Sequence, residues 1–255
     1  MAIDLSNPWL IAIGLNTVLL GLAWLAPKAL LTPAGLVHAW ILGVLIWGSL
    51  GWQGYTVVMV YFLVGSAVTR IGRAQKEAAG IAEKRSGARG PENVWGSALI
   101  GALCALGLLL LPATDIEGRS LLLLGYVASF ATKLSDTTAS EVGKAYGKRT
   151  FLITTLQAVP RGTEGAVSLE GTLAGAVASV AIALIGWAVG MIDPLGIGLC
   201  IVAALVATTV ESLIGATLQD QWDWLTNELV NVINTLVGAI AAMGLALLIR
   251  LVAGV

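Results

Sequence analysis

Between residues 132 and 175 the chain reads TKLSDTTASEVGKAYGKRTFLITTLQAVPRGTEGAVSLEGTLAG, and carboxylates, amines and hydroxyls crowd there into a sequence that is otherwise mostly apolar. Chemistry is expected in such a stretch, because an ionisable side chain within a membrane segment is costly and is kept for a function. If 119–146 form one helix, Lys133, Asp136, Ser140, Gly143 and Gly147 recur at i, i+3, i+7, i+10 and i+14 and share one polar stripe. Glu141 falls on the neighbouring stripe with Thr137, Thr138 and Lys144. A carboxylate followed by hydroxyls and then glycines can hold a divalent cation such as Mg²⁺ and let a phosphate approach the backbone. The competing reading is a solvated helix end with capping residues nearby.

Further candidates flank this stripe. Arg161, Thr163 and Glu164 lie in a glycine-flanked turn, followed by Ser168 and Glu170 at the start of the next helix, where acids also suit the helix dipole. Thr208, Glu211, Ser212, Gly215 and Gln219 share one helical face, and Asn227, Asn231 and Asn234 recur at i, i+4 and i+7 on another. Polar faces of membrane helices look inward, so Glu211 needs a cation or partner, while the asparagines fit interhelical hydrogen bonding as well as ligand binding. The segment RIGRAQKEAAGIAEKRSGARGPEN, residues 70–93, reads as a mobile basic loop too charged to be buried. Its Lys76, Lys84 and Arg85, with Asn93 at the following helix start and Lys144, are candidates for holding a nucleotide; the alternative is a topology signal or attraction to anionic lipid. GKAYGKR is not a phosphate-binding P-loop, having one residue too few between its glycines, and no GxGxxG fingerprint follows a strand. Bound nucleotide would therefore rely on Mg²⁺, basic side chains and helix N-termini. His38, alone in an apolar run, reads as a packing residue.

The elements that must position these groups are membrane helices. The chain has 255 residues, 57% of them hydrophobic and 11% charged, with mean hydropathy +0.89, against about 25% charged in an ordinary soluble domain. The expected fold is all-α, a polytopic transmembrane bundle of about eight helices with a range of roughly six to nine, in a single domain over 1–255. Apolar runs fall near 9–26, 34–52, 54–69, 94–112, 119–135, 168–191, 195–218 and 229–251, and Gly51–Gly54 could fold the second and third into a tight hairpin. Cys104 and Cys200 lie inside apolar runs as small core residues, and a net charge of -1 gives no support for nucleic-acid binding. No cleavable leader is legible at the N-terminus, as in an unprocessed prokaryotic membrane protein. With alternating spans, nearly all Lys and Arg side chains fall on one side, which the positive-inside rule makes cytoplasmic. That side would hold the basic loop of about 70–93, a catalytic loop of about 144–168 and the acidic connection 219–228, with both termini facing away.

RGPENVWGSALIGAL, LSDTTASEVGKAYGKR, ITT with AVPRGTEGAVSLEGTLAG, ESLIGATLQ and ELVNVIN occur in order from about residue 30 to the C-terminus. Together they resemble the integral-membrane family of transmembrane protein 19 and the vitamin E pathway phytyl-phosphate kinase, which is similar, more distantly, to CTP-dependent phytol and dolichol kinases and CDP-diacylglycerol synthases. The resemblance implies transfer of the terminal phosphoryl group of a nucleoside triphosphate, CTP by that likeness, to phytyl phosphate or another isoprenyl monophosphate, giving the diphosphate for tocopherol and quinone synthesis. By position it implies functional roles for Asp136, Glu141, Arg161, Thr163, Glu164, Glu211 and Asn231, with Mg²⁺ held by Asp136 together with Glu141 or Glu211. The partners implied are the lipid substrate and the bilayer; a homo-oligomer is allowed for but not required. Two other readings of the same buried charges are cytidylyl transfer to a lipid phosphate and a carrier for small anions or isoprenoid phosphates. Carriers commonly show internal repeats, and none is visible here.

Overall fold

A computed structural model describes residues 6–26, 29–82, 87–219 and 221–254. Its first helix, α1 (Pro8–Trp24), starts at an Asn7 cap and is apolar on nearly every face. The second, α2 (Pro33–Val68), is not straight. Gly51 interrupts it at φ 63°, ψ -158°, backbone space that only glycine enters without strain. An unbroken helix of 36 residues would hold its ends about 54 Å apart, yet Arg89 reaches both. Its backbone exchanges hydrogen bonds with Leu30 and Thr32, while its side chain donates to Tyr61 Oη. The element is therefore a hairpin of two apolar arms turning at Gly51, the alternative the Gly-Trp-Gln-Gly sequence had offered.

After the short α3 (Arg73–Ala78) come α4 (Pro91–Leu110), α5 (Ile116–Tyr146), α6 (Leu169–Ala188), α7 (Pro194–Thr217) and α8 (Asn227–Ala253). The chain is an all-α polytopic bundle, and α2, α4, α6, α7 and α8 are long and apolar enough to cross a membrane. Within it α5 is the central pole. Every residue from Leu124 to Asp136 is buried, as required of a helix surrounded on all sides, and α2, α4, α6, α7 and α8 all pack against it. Small residues permit this closeness: a Cβ on Gly101 would lie 2.6 Å from Phe130, and one on Gly186 would lie 2.7 Å from Val127. Cys104 and Cys200 are free and buried, and His38 accepts a hydrogen bond from Trp95 Nε1 at 2.8 Å; these are packing roles.

Two departures from the sequence reading matter for the site. First, the segment after α5 holds a small antiparallel pair, β1 (Thr150–Leu152) and β2 (Ala166–Ser168), with Phe151 opposite Val167. Second, the 70–93 segment is not simply a mobile charged loop, since it forms α3 and buries Lys76 to 1% exposure. The bundle also has two distinct ends. At one, Gly162 packs on Ile81 and Gly165 on Ala216, so the 70–90 segment, the β1–β2 turn and the end of α7 meet. At the other, Arg250 near the end of α8 donates to Glu117 and Ser120 at the start of α5. Asn93 at the start of α4 also donates to Glu228 at the start of α8, so described parts of the three polar connections meet at the first of these ends.

Candidate functional site

Inside the first of these ends lies a cavity of about 740 Å³. A buried ion pair on its wall comes from α5. Lys133 and Asp136 are three residues apart, which on a helix puts them on neighbouring turns of one face, and Lys133 Nζ donates to Asp136 Oδ2 at 2.6 Å. The same ammonium donates to Asn231 Oδ1 of α8 at 2.7 Å. Both members of the pair are buried, at 6% and 7% exposure, so the charge of each is balanced where the surrounding helices are apolar. Thr208 and Glu211 of α7 face the same space, and Thr137, Ser140, Gly143 and Lys144 continue it along α5 toward the end of the bundle. The polar stripe read from 3.6-residue spacing is thus the wall of a cavity.

Glu141 also borders the cavity, but it forms a buried ion pair with Lys76. Lys76 Nζ donates in addition to the Thr69 carbonyl at 2.8 Å. Gly72, left-handed at φ 59°, starts α3 where a Cβ would come 2.5 Å from Ala145, so α3 is pressed onto the end of α5 and carries its lysine inward. Lys76 does not line the cavity; it fastens the 70–80 segment to the cavity's α5 wall. Lys84 and Arg85 lie outside the described residues.

Of the remaining expected residues, Thr163, Glu164, Asn93 and Asn227 line the cavity, whereas Arg161 and Asn234 do not. Gly162 and Gly165 have φ of 83° and 71° and fold the β1–β2 connection back so that Thr163 and Glu164 line the cavity mouth. Arg161 donates to the Ala145 carbonyl at 3.1 Å and faces a separate surface groove with Lys148 and Arg149. Asn93 closes the start of α4 by accepting from Gly90 N and donates to Glu228 Oε1 at 3.4 Å. Asn227 accepts from Gln219. Asn234, on the same face of α8, is buried at 1% exposure and does not reach the cavity. Tyr61, Arg89, Ser97 and Glu228 also line it. Sequence reading missed them, although Arg89 stands one residue before the Gly-Pro-Glu-Asn helix start that marks the rim.

No three of the described His, Cys, Asp or Glu side chains converge as a metal cage. The acids lining the cavity are instead dispersed, with Asp136, Glu141 and Glu211 in its helical walls and Glu164 and Glu228 in the connections at its rim. One or two carboxylates suit Mg²⁺ when phosphates and water supply the other oxygens, and this donor set fits an ion that arrives with a nucleotide.

Residues 16–239 match the family described as Integral membrane protein DUF92. The chain is 66% identical over 242 residues to the uncharacterized membrane protein sll0875 of Synechocystis sp., covering 95% of this chain and 93% of that one. It is 47% identical over 218 residues to Protein VTE6, chloroplastic, of Arabidopsis thaliana, covering 84% of this chain and 64% of that protein. Identity is 33% over 207 residues, 81% and 82% of the two chains, to the uncharacterized membrane protein MJ0933 of Methanocaldococcus jannaschii. No solved structure matches the chain.

Proposed function

Since this chain belongs to the integral membrane protein family DUF92, we propose that it is a membrane kinase transferring the terminal phosphoryl group of CTP to phytyl phosphate or a similar isoprenyl monophosphate. The observation that carries this reading is a polar cavity with a buried Lys133–Asp136 pair on its wall, open at one end of a bundle that is otherwise apolar. Asp136 sits ten residues before the end of α5 at Tyr146, about 15 Å along the axis. A lipid's phosphate can meet a water-soluble nucleotide there without its hydrocarbon tail leaving the bilayer. The 47% identity to Protein VTE6 and the resemblance to the phytyl-phosphate kinase support the same substrate class.

In this reaction an oxygen of the lipid phosphate bonds to the terminal phosphorus of the nucleotide, the bond from that phosphorus to its bridging oxygen breaks, and the nucleoside diphosphate leaves. The attacking oxygen is already an anion, so no strong general base is needed. The difficulty is bringing two anions together, and electrostatic stabilisation must dominate. Lys133 supplies fixed positive charge, held in place by Asp136 and Asn231. Asp136 and Glu211 are the residues that would hold Mg²⁺, which supplies charge neutralisation on the transferred phosphoryl oxygens. Thr163, Glu164, Asn93 and Lys144 form the rim over which nucleotide enters, on the face assigned to the cytoplasm by the distribution of basic residues.

The test is purified protein in detergent with phytyl phosphate and CTP labelled at either the terminal or the innermost phosphate. Terminal label in a lipid diphosphate, with CDP released, is the expected result. Innermost label in the lipid, with pyrophosphate released, would make the protein a cytidylyltransferase instead. Parallel reactions with ATP and UTP set the nucleotide preference.

A further inference from the structure

The cations foreseen at this site include two that are already neutralised, Lys133 by Asp136 and Lys76 by Glu141. Arg89 differs. It lines the cavity, its guanidinium donates to Tyr61 Oη at 3.0 Å, and among the described residues no carboxylate pairs with it. Its Cζ lies 5.3 Å from the ring centroid of Tyr61 and 5.6 Å from that of Phe62, contacts that fix the guanidinium against aromatic faces.

The mount is built from both arms of the α2 hairpin. The Arg89 backbone donates to the Leu30 carbonyl and accepts from Thr32 N, forming a bridge with Leu31. A Cβ on Gly35, in the first arm, would collide with the Arg89 carbonyl, and a Cβ on Gly65, in the second, would stand 2.8 Å from Arg89 Nη2. Two glycines at opposite ends of one hairpin thus leave room for the backbone and the head of a single arginine. A cation held this firmly, without a carboxylate and facing a cavity, is arranged for an anion. The planar fork of a guanidinium matches phosphate oxygens, which an ammonium meets only as a point charge.

We propose that Arg89 is a phosphate-binding residue of this cavity and that Gly65 is the positioning residue that keeps its guanidinium aimed. The proposal rests on the reading that the cavity takes phosphate substrates, but not on which reaction follows. The ligand chemistry is a phosphate oxyanion, whose source is either the nucleotide or the lipid monophosphate.

The first measurement uses no turnover: binding of inorganic pyrophosphate to the full chain in detergent, by calorimetry, for wild type, Arg89→Lys, Gly65→Ala and Arg149→Lys. Losing a charge-assisted fork should weaken binding about 10- to 100-fold. Gly65→Ala, which keeps the arginine, should weaken it in the same direction by displacing Nη2, and Arg149→Lys, in the separate surface groove, should leave it unchanged. Wild-type protein that does not bind pyrophosphate, or equal affinity in wild type, Arg89→Lys and Gly65→Ala, overturns the proposal. Should Arg89→Lys fail to fold, the Gly65→Ala comparison still decides. The second measurement is KM for CTP and for phytyl phosphate in the same variants, and the substrate whose KM rises identifies whose phosphate Arg89 holds. Pyrophosphate binding that depends on Arg89 in a protein that makes no lipid diphosphate would leave this assignment intact and remove the kinase.

Discussion

Replacing Asp136 with asparagine separates the roles of its charge and its shape. Lys133 Nζ lies 2.6 Å from Asp136 Oδ2, with both side chains below a tenth exposed. At an effective dielectric of about 20, unit charges at that distance attract by about 6 kcal/mol before desolvation is subtracted. Asparagine keeps an acceptor for the ammonium, and a hydrogen bond to a charged group retains about 1.5–3 kcal/mol of that. The remainder is near the lower end of the roughly 3–5 kcal/mol lost when one member of a buried ion pair is removed, so Asp136→Asn should destabilise the protein by about 3 kcal/mol. For a chain of this size that lowers Tm by about 6–12 °C. Phosphoryl transfer should fall by about 10²–10³ in kcat, the loss typical of one preorganised electrostatic contact. The assay is thermal unfolding in detergent beside label transfer, repeated with Lys133→Met in the asparagine background. Because the second change removes the stranded cation, the double variant should melt at or above the single one while staying inactive. Melting losses that simply add, or an Asp136→Asn protein with wild-type Tm and near-normal kcat, would refute the reasoning and transfer the acidic role to Glu211.

Three further outcomes follow from the packing. Lys76→Met removes the ammonium paired with Glu141, which is buried at 2% exposure, and should lower the melting transition; a combined Lys76→Met, Glu141→Leu variant should melt above the single one. In Gly171→Ala the new Cβ would stand 2.5 Å from the Ala139 carbonyl oxygen, so α6 must move off α5, and a loss of about 1–3 kcal/mol is expected, with the far smaller effect of Gly198→Ala, which meets open space, as the control. Cysteines at Arg149 and Ala113, on opposite ends of the bundle, should label from opposite sides in oriented vesicles, Arg149 from the cytoplasmic side. Labelling of both from one side contradicts the alternating spans, and the native Cys104 and Cys200, being buried, should contribute little background.

The sequence exposed α5 clearly because its polar residues repeat at the helical period inside an apolar setting, and that pattern survives whatever surrounds it. The Gly51 bend was legible as an option for a similar local reason. Lys76 was not, because its partner Glu141 is 65 residues away and charge alone makes a lysine among Arg73, Glu77 and Lys84 look solvated. β1 and β2, each three residues long, are too short for an alternating pattern to emerge. Arg161 sits in a motif that the fold places at the rim, yet its side chain turns to a helix carbonyl, a choice made by backbone geometry. Arg89 was passed over since a basic residue beside a membrane helix has a ready explanation in topology, and only tertiary structure shows the two glycines cleared for it.

These failures share a physical origin that bears on how the site works. The groups read correctly are those whose surroundings belong to their own helix; the groups misread are held from outside it. Lys76 is carried to α5 by α3, and Arg89 is clamped by both arms of α2. Lys76 ties α3 to α5 through Glu141, and Arg89 ties the start of α4 to α2. The cavity wall therefore depends on the 70–90 segment being seated. Binding energy from a phosphate at Arg89 would act on that seating directly, because the residue's backbone ties the α1–α2 connection to the start of α4. The cavity is thus assembled by neighbouring elements around α5, which five helices enclose.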